Sequence, residues 1–296
     1  MHDHASKERA ARLTGIALMC GAVSCFAFLD TTAKYLNLHM NTLEVVWARY
    51  TGALLLPFIV SNPWTHPGLM RTTRPVLQIG RSVLLLGSTL FNFVALRYLQ
   101  LDESVSIAFS TPFFVAALSG PILGEWVRWR RWTAIAVGFV GVLVVTRPTP
   151  AGFQPAVLIS LGGAICYAIY ALSTRILART DSNETTLFYS NIVGAAAMLP
   201  VVPFVWTTPT DTLVIVLMVG TGALASFGHY LLIAAHRLAP AAVLSPFIYT
   251  EIVLMIALGF LVFGDLPNRW TLAGAAIVVA SGLYILQRER KVKGGM

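Results

Sequence analysis

Charge is what this sequence has least of. Only 11% of its 296 residues are Asp, Glu, Lys or Arg, where a soluble domain carries about 25%. That shortage excludes a soluble fold for most of the chain. With 56% hydrophobic residues and a mean hydropathy of +0.73, the chain belongs in a bilayer. Cysteine is also scarce. Cys20, Cys25 and Cys166 all lie in apolar stretches, without C-x-x-C spacing, so they read as small buried residues. H-E-x-x-H, G-x-S-x-G, a Walker loop and a paired Asp-rich motif are absent, which speaks against an enzyme and leaves no catalytic, metal or cofactor set to name. No stretch is long enough for the soluble nucleotide-binding domain of an ATP-driven pump. The same lack turns the net charge of +8 away from nucleic acid and toward loops facing anionic membrane lipid.

What the chain has in abundance is apolar runs. A membrane-spanning helix needs roughly 20 apolar residues, and ten such stretches fit: 13–36, 43–60, 76–96, 104–123 and 133–146, then 156–177, 185–205, 213–235, 241–263 and 271–286. Residues 1–15 (MHDHASKERAARLTG) are polar and basic and run straight into the first stretch without a small-residue cleavage site. They lead into a first transmembrane helix rather than a removed signal. Residues 147–155 (RPTPAGFQP) are barred from a helix by their prolines and divide the chain into 1–150 and 151–296. The expected class is an all-α integral membrane protein of ten transmembrane helices. With the N-terminus inside, sixteen Lys and Arg fall on the cytoplasmic side and five on the outer side, so both termini are cytoplasmic.

The halves repeat one another. Residues 25–36 (CFAFLDTTAKYL) align without a gap on 166–177 (CYAIYALSTRIL). Gly52 recurs as Gly194, Pro57 as Pro200, Leu99 as Leu238, Gly124-Glu125 as Gly264-Asp265, Trp132-Thr133 as Trp270-Thr271 and Gly141 as Gly282, at offsets of 138 to 143 residues. Five spans per half is an odd number, so the halves enter the membrane from opposite sides. Such an inverted repeat is built for alternating access at a site between the halves.

Two five-span halves, each with a Gly-acidic pair before a Trp- or Gly-rich fifth helix, resemble the EamA family of the drug/metabolite transporter superfamily across residues 13–287. The resemblance implies a central cavity lined by spans 1, 3, 4, 6, 8 and 9. It also implies peripheral fifth helices, at which some relatives dimerise; monomer and homodimer both stay open. Exporters of amino acids and carriers of other metabolites belong to that family. The proline matching Pro112 is replaced in the second half by Glu251 or Ile252, with Pro246 earlier.

Ionisable groups inside spans are functional candidates by default. Glu251, midway along the ninth span, suits a substrate ammonium or a coupled proton. Asp30, Lys34 and Arg49 form an expected outer cluster that gates or braces that side. His229 and Tyr230 in the eighth span and Asn92 in the third are candidate substrate contacts. Tyr167 and Tyr170, three residues apart on one helical face, join Phe109 and Phe113 of the fourth span and Phe247 and Tyr249 of the ninth as possible aromatic walls. Ser110 offers a hydroxyl, while Pro112 and Pro246 provide hinges. Apolar walls with a few polar groups suit a small amphipathic substrate. The expectation is a secondary exporter of small metabolites, foremost amino acids including aromatic ones, in the bacterial inner membrane. A carrier of nucleosides, vitamins, nucleotide-sugars or lipid precursors is the alternative. An intramembrane enzyme on a lipid-linked substrate is the remote one.

Overall fold

The computed structural model of the chain describes residues 2–60, 70–124, 129–147, 154–178, 180–239, 244 and 247–293. Among them every regular element is helical. In the first half these are α1 (His2–Leu36), α2 (Thr42–Val60), α3 (Pro75–Leu96), α4 (Leu101–Ala108), α5 (Thr111–Leu123) and α6 (Trp129–Thr146). In the second they are α7 (Pro155–Leu177), α8 (Asn183–Met198), the short α9 (Val202–Val205), α10 (Thr212–Leu238), α11 (Thr250–Leu258) and α12 (Arg269–Lys293). Five stretches are long and apolar enough to cross a membrane by length and composition: Ala10–Leu36, Pro75–Leu96, Leu101–Leu123, Pro155–Leu177 and Thr212–Leu238.

The helix ends follow local chemistry. Pro75 and Pro155 open α3 and α7, where a missing N–H leaves no bond unmade. Ser182 accepts from the Thr185 N–H at 3.1 Å to cap α8, and Asp211 accepts from the Leu213 N–H at 2.8 Å to cap α10. Both α5 and the π-helical turn Gly259–Phe263 that extends α11 stop on a left-handed glycine, Gly124 with φ of 74° and Gly264 with φ of 71°.

Three stretches that look continuous in sequence are broken. The fourth becomes α4 and α5, parted at Phe109 and Ser110. Pro112 lies in the first turn of α5, where it has no N–H to offer the Ala108 carbonyl one turn back. The discontinuity therefore sits before the proline rather than as a bend at it. In the second half α11 begins only after Tyr249, and Pro246 lies outside the described residues. The seventh stretch is also interrupted, at 199–201 beside Pro200, before α9.

Packing runs between the halves far more than within them. α1 lies along α10 as α3 lies along α7. α2 packs on α10 as α8 packs on α3, and α5 meets α7 as α11 meets α1. α2 and α6 also pair with their own counterparts, α8 and α12. Exchanging the halves thus returns these contacts between them. The paired helices run antiparallel: Gly15, Gly21 and Cys25 of α1 meet Ala239, Leu231 and Gly228 in descending order along the α10 side. Small residues allow the closest approaches. A Cβ on Gly222 would overlap the Gly52 backbone of α2, and one on Gly274 would overlap the Gly141 carbonyl oxygen of α6.

Candidate functional site

Polar side chains inside the bundle fall into three groups along α1 and α3. The central group begins with Asp30 on α1. Its two carboxylate oxygens accept from the Asn92 amide on α3, at 3.2 Å each, and the Asn92 carbonyl oxygen accepts from the Ser104 hydroxyl on α4 at 3.2 Å. Glu251, in the first turn of α11, is within electrostatic range of Asp30 and of Tyr167. The rings of Tyr167 and Tyr170 on α7 lie tilted at 42° to each other with centroids 5.3 Å apart. His229 on α10 meets the ring of Phe26 on α1 edge to face at 5.1 Å.

Tyr167 is 38% exposed and Asp30, His229 and Glu251 are half-buried, so each keeps some accessible surface among the helices. Arg49 of α2 lies within electrostatic range of Asp30, His229 and Tyr167. Its guanidinium carbon lies 4.6 Å from the centre of the Tyr50 ring, and Tyr50 is itself held by Thr89 at 3.0 Å.

Other expected residues are placed elsewhere. Lys34 does not join Asp30 and Arg49. It donates to Asp265 of the second half at 2.8 Å and sits 4.7 Å from the Phe263 ring centre. Phe109 and Tyr249 meet edge to face at 5.1 Å, and the Tyr249 hydroxyl lies over Gly282 of α12. Both rings therefore fill the space between the helix breaks and a fifth helix. Phe113 is likewise buried, against Gly138 of α6. Ser110 is buried at the break, with no partner for its hydroxyl. Tyr230 is 66% exposed and continues the outward stripe of Val216, Val219 and Phe227 along α10, which points it away from the central group.

The second group was not anticipated. Arg81 reads in the sequence as a cytoplasmic flank of α3, but it is 1% exposed. Its guanidinium donates to the Thr174 hydroxyl at 2.7 Å, the Tyr170 hydroxyl at 3.0 Å, the Ser190 hydroxyl at 3.1 Å, the Thr186 carbonyl at 3.1 Å and the Gln78 amide oxygen at 3.3 Å. Gln78 in turn donates to Asp181 at 2.7 Å, as does Thr72. These bonds tie α3 to α7 and α8, across the halves. A signal was present: a charged residue six positions into an apolar helix, with Gln78 one turn before it. Removing Arg81 from the sixteen cytoplasmic charges leaves the bias intact.

The third group closes the opposite end. Besides Lys34–Asp265, the fully buried Glu44 accepts from the Thr207 backbone N–H, and from its hydroxyl at 3.0 Å, again across the halves. Eleven residues of α3 separate Arg81 from Asn92, about 16 Å at the helical rise. The central group therefore lies between two tied ends.

The description EamA-like transporter family matches this chain twice, over residues 13–147 and 154–287. An S-adenosylmethionine uptake transporter of Rickettsia conorii is 30% identical over 94% of each chain. A riboflavin transporter of Vibrio cholerae is 26% identical over 94% of this chain and 95% of its own. A solved crystal structure shares the fold with a TM-score of 0.55 at 17% identity, covering 96% of this chain and 98% of that one.

Proposed function

We propose that this chain, which belongs to the EamA-like transporter family, carries a small amphipathic metabolite with a flat heteroaromatic ring across the membrane. The adjoining Tyr167–Tyr170 rings beside the two acids Asp30 and Glu251, drawn from both halves, carry this reading. A tyrosine ring offers a π-face to a planar heterocycle, and the acids favour a neighbouring positive charge. S-adenosylmethionine and riboflavin, named for the relatives, both contain a planar heterocycle on a polar chain. Export of plain amino acids has less behind it, since neither of those relatives is named for it.

The protein is a multi-pass membrane protein, and we place it in the bacterial inner membrane with ten spans in two inverted halves, 1–150 and 151–296, and both termini cytoplasmic. The antiparallel run of α1 along α10, the matching contacts of the two halves and the Lys/Arg bias support that arrangement. Transport proceeds by alternating access, with the Arg81 and Lys34 ends parting in turn. Glu251 is the residue proposed to couple a proton to the cycle, and His229 and Asn92 complete the cavity wall.

Purified protein in liposomes tests the reading with labelled S-adenosylmethionine, riboflavin, phenylalanine and threonine. Saturable flux of a heteroaromatic compound, reduced several-fold by Tyr167→Leu, is expected. Flux of phenylalanine or threonine alone overturns it. A flux that ignores a pH gradient and survives Glu251→Gln removes the coupling role.

A further inference from the structure

Two arginines are buried among the described residues, and they are treated differently. Arg81 has five acceptors around it. Arg49 is 7% exposed, takes part in no salt bridge among the described residues, and its Nε has no hydrogen-bond acceptor. A buried guanidinium with an unmatched Nε–H is an anomaly, since enclosed polar groups are ordinarily paired. The nearby acid gives it charge without a direct contact: Asp30 lies within electrostatic range, but its hydrogen bonds among the described residues are to Asn92. Tyr50 meets the guanidinium with its ring face and a side-chain hydrogen bond, which still leaves Nε without an acceptor. The groups facing Arg49 are Asp30 from α1, Tyr167 from α7 and His229 from α10. They are also groups of the proposed transport site.

We infer that Arg49 is the anchor for a carboxylate on the transported molecule. The inference rests on the proposed transport of a heteroaromatic metabolite and narrows it. The substrate would carry three chemistries at once: a carboxylate at Arg49, a cation toward Asp30 and Glu251, and a planar ring against Tyr167 and Tyr170. A guanidinium presents a fixed fork of donors that matches a carboxylate with two parallel bonds. A molecule built from an α-amino acid and a purine-like ring satisfies all three. A neutral flavin satisfies only the last.

The test measures binding to the full chain in lipid nanodiscs. The ligands are S-adenosylmethionine, its decarboxylated analogue, 5′-methylthioadenosine and phenylalanine. For the native chain, loss of the carboxylate should weaken binding about tenfold or more, the usual scale of a charge-assisted bond. Arg49→Gln should weaken S-adenosylmethionine by a similar factor and leave the decarboxylated analogue unchanged, with Arg49→Lys recovering part of the loss. Equal affinity of the native chain for S-adenosylmethionine and its decarboxylated analogue overturns the inference while leaving the transport reading standing. That comparison needs no variant, so it holds if Arg49→Gln fails to fold. Equal weakening of both ligands by Arg49→Gln also overturns it. If phenylalanine alone binds and Arg49→Gln abolishes this, the anchor stands and the heteroaromatic reading falls. Absence of binding by both carboxylate-bearing compounds overturns the anchor.

Discussion

At the Arg81 end, one guanidinium reaches residues of three helices and has almost no contact with solvent. At the Lys34 end, one ion pair spans the halves with its side chains 14% and 25% exposed. Both ends are closed across the same interface, but by different physics. Neutral hydroxyls and a carbonyl around a buried cation form a network in which no bond is dispensable, because each lost partner leaves another group unmet. A partly wetted ion pair exchanges its partner for water at little cost. The contrast assigns the firm closure to the Arg81 end and the easily opened one to the Lys34 end. The buried Glu44–Thr207 bonds brace the latter from the side.

Removing Arg81 should have the largest effect. Arg81→Met takes away the donor to the Tyr170 hydroxyl and breaks the ties from α3 to Thr174 of α7 and to Thr186 and Ser190 of α8, and should lower stability by about 2–4 kcal/mol, read as a lower Tm in detergent. Thr207→Pro removes the donor N–H to Glu44 and leaves a buried carboxylate short of a partner. A loss of about 1–3 kcal/mol is expected, with the Tm falling less than for Arg81→Met. Lys34→Met should cost under about 1 kcal/mol yet change the transport rate, and a charge swap, Lys34→Asp with Asp265→Lys, should restore the native rate. If Lys34→Met destabilises as much as Arg81→Met, the distinction between the ends is lost.

The smallest effect belongs to pH at the Arg81 end. Asp181 lies in the loop before α8. Partial burial acts against its ionisation, but hydrogen bonds from Thr72 and Gln78 prevail and hold its carboxyl below the usual range. Its contribution to closure is therefore complete above the ordinary carboxylate pKa, about 4, and fades as pH falls through the lower folded value. Stability measured from pH 6 downward should show an acid-dependent loss that Asp181→Asn reduces.

Much of the architecture was legible because duplication leaves paired marks. Gly124 and Gly264 were visible as a pair, and both prove to be left-handed helix stops. Tyr167 and Tyr170 were placed on one face by spacing alone, and their rings lie 5.3 Å apart. What stayed hidden depends on partners far away in sequence. Lys34 and Asp30 share a helix face, which suggested one cluster. The partner of Lys34 lies 231 residues on, and only the fold brings it near. Arg81 was hidden for another reason. A basic residue near a helix start looks the same whether it turns to lipid headgroups or inward, and the hydroxyls that draw it inward belong to the other half. Tyr230 failed to join the cavity because one residue of helical rotation from His229 carries it to the outer stripe.

The ring contact at the two helix breaks carries one more consequence. Phe109 and Tyr249 are 140 residues apart, as are Gly124 and Gly264, so each occupies its partner's position in the other copy. Two equivalent points that touch must straddle the pseudo-twofold axis itself. A cycle that merely trades the postures of the two copies moves everything else but maps this contact onto itself. In such a cycle it is a stationary point, and a crosslink there, Phe109→Cys with Tyr249→Cys, should leave the protein turning over.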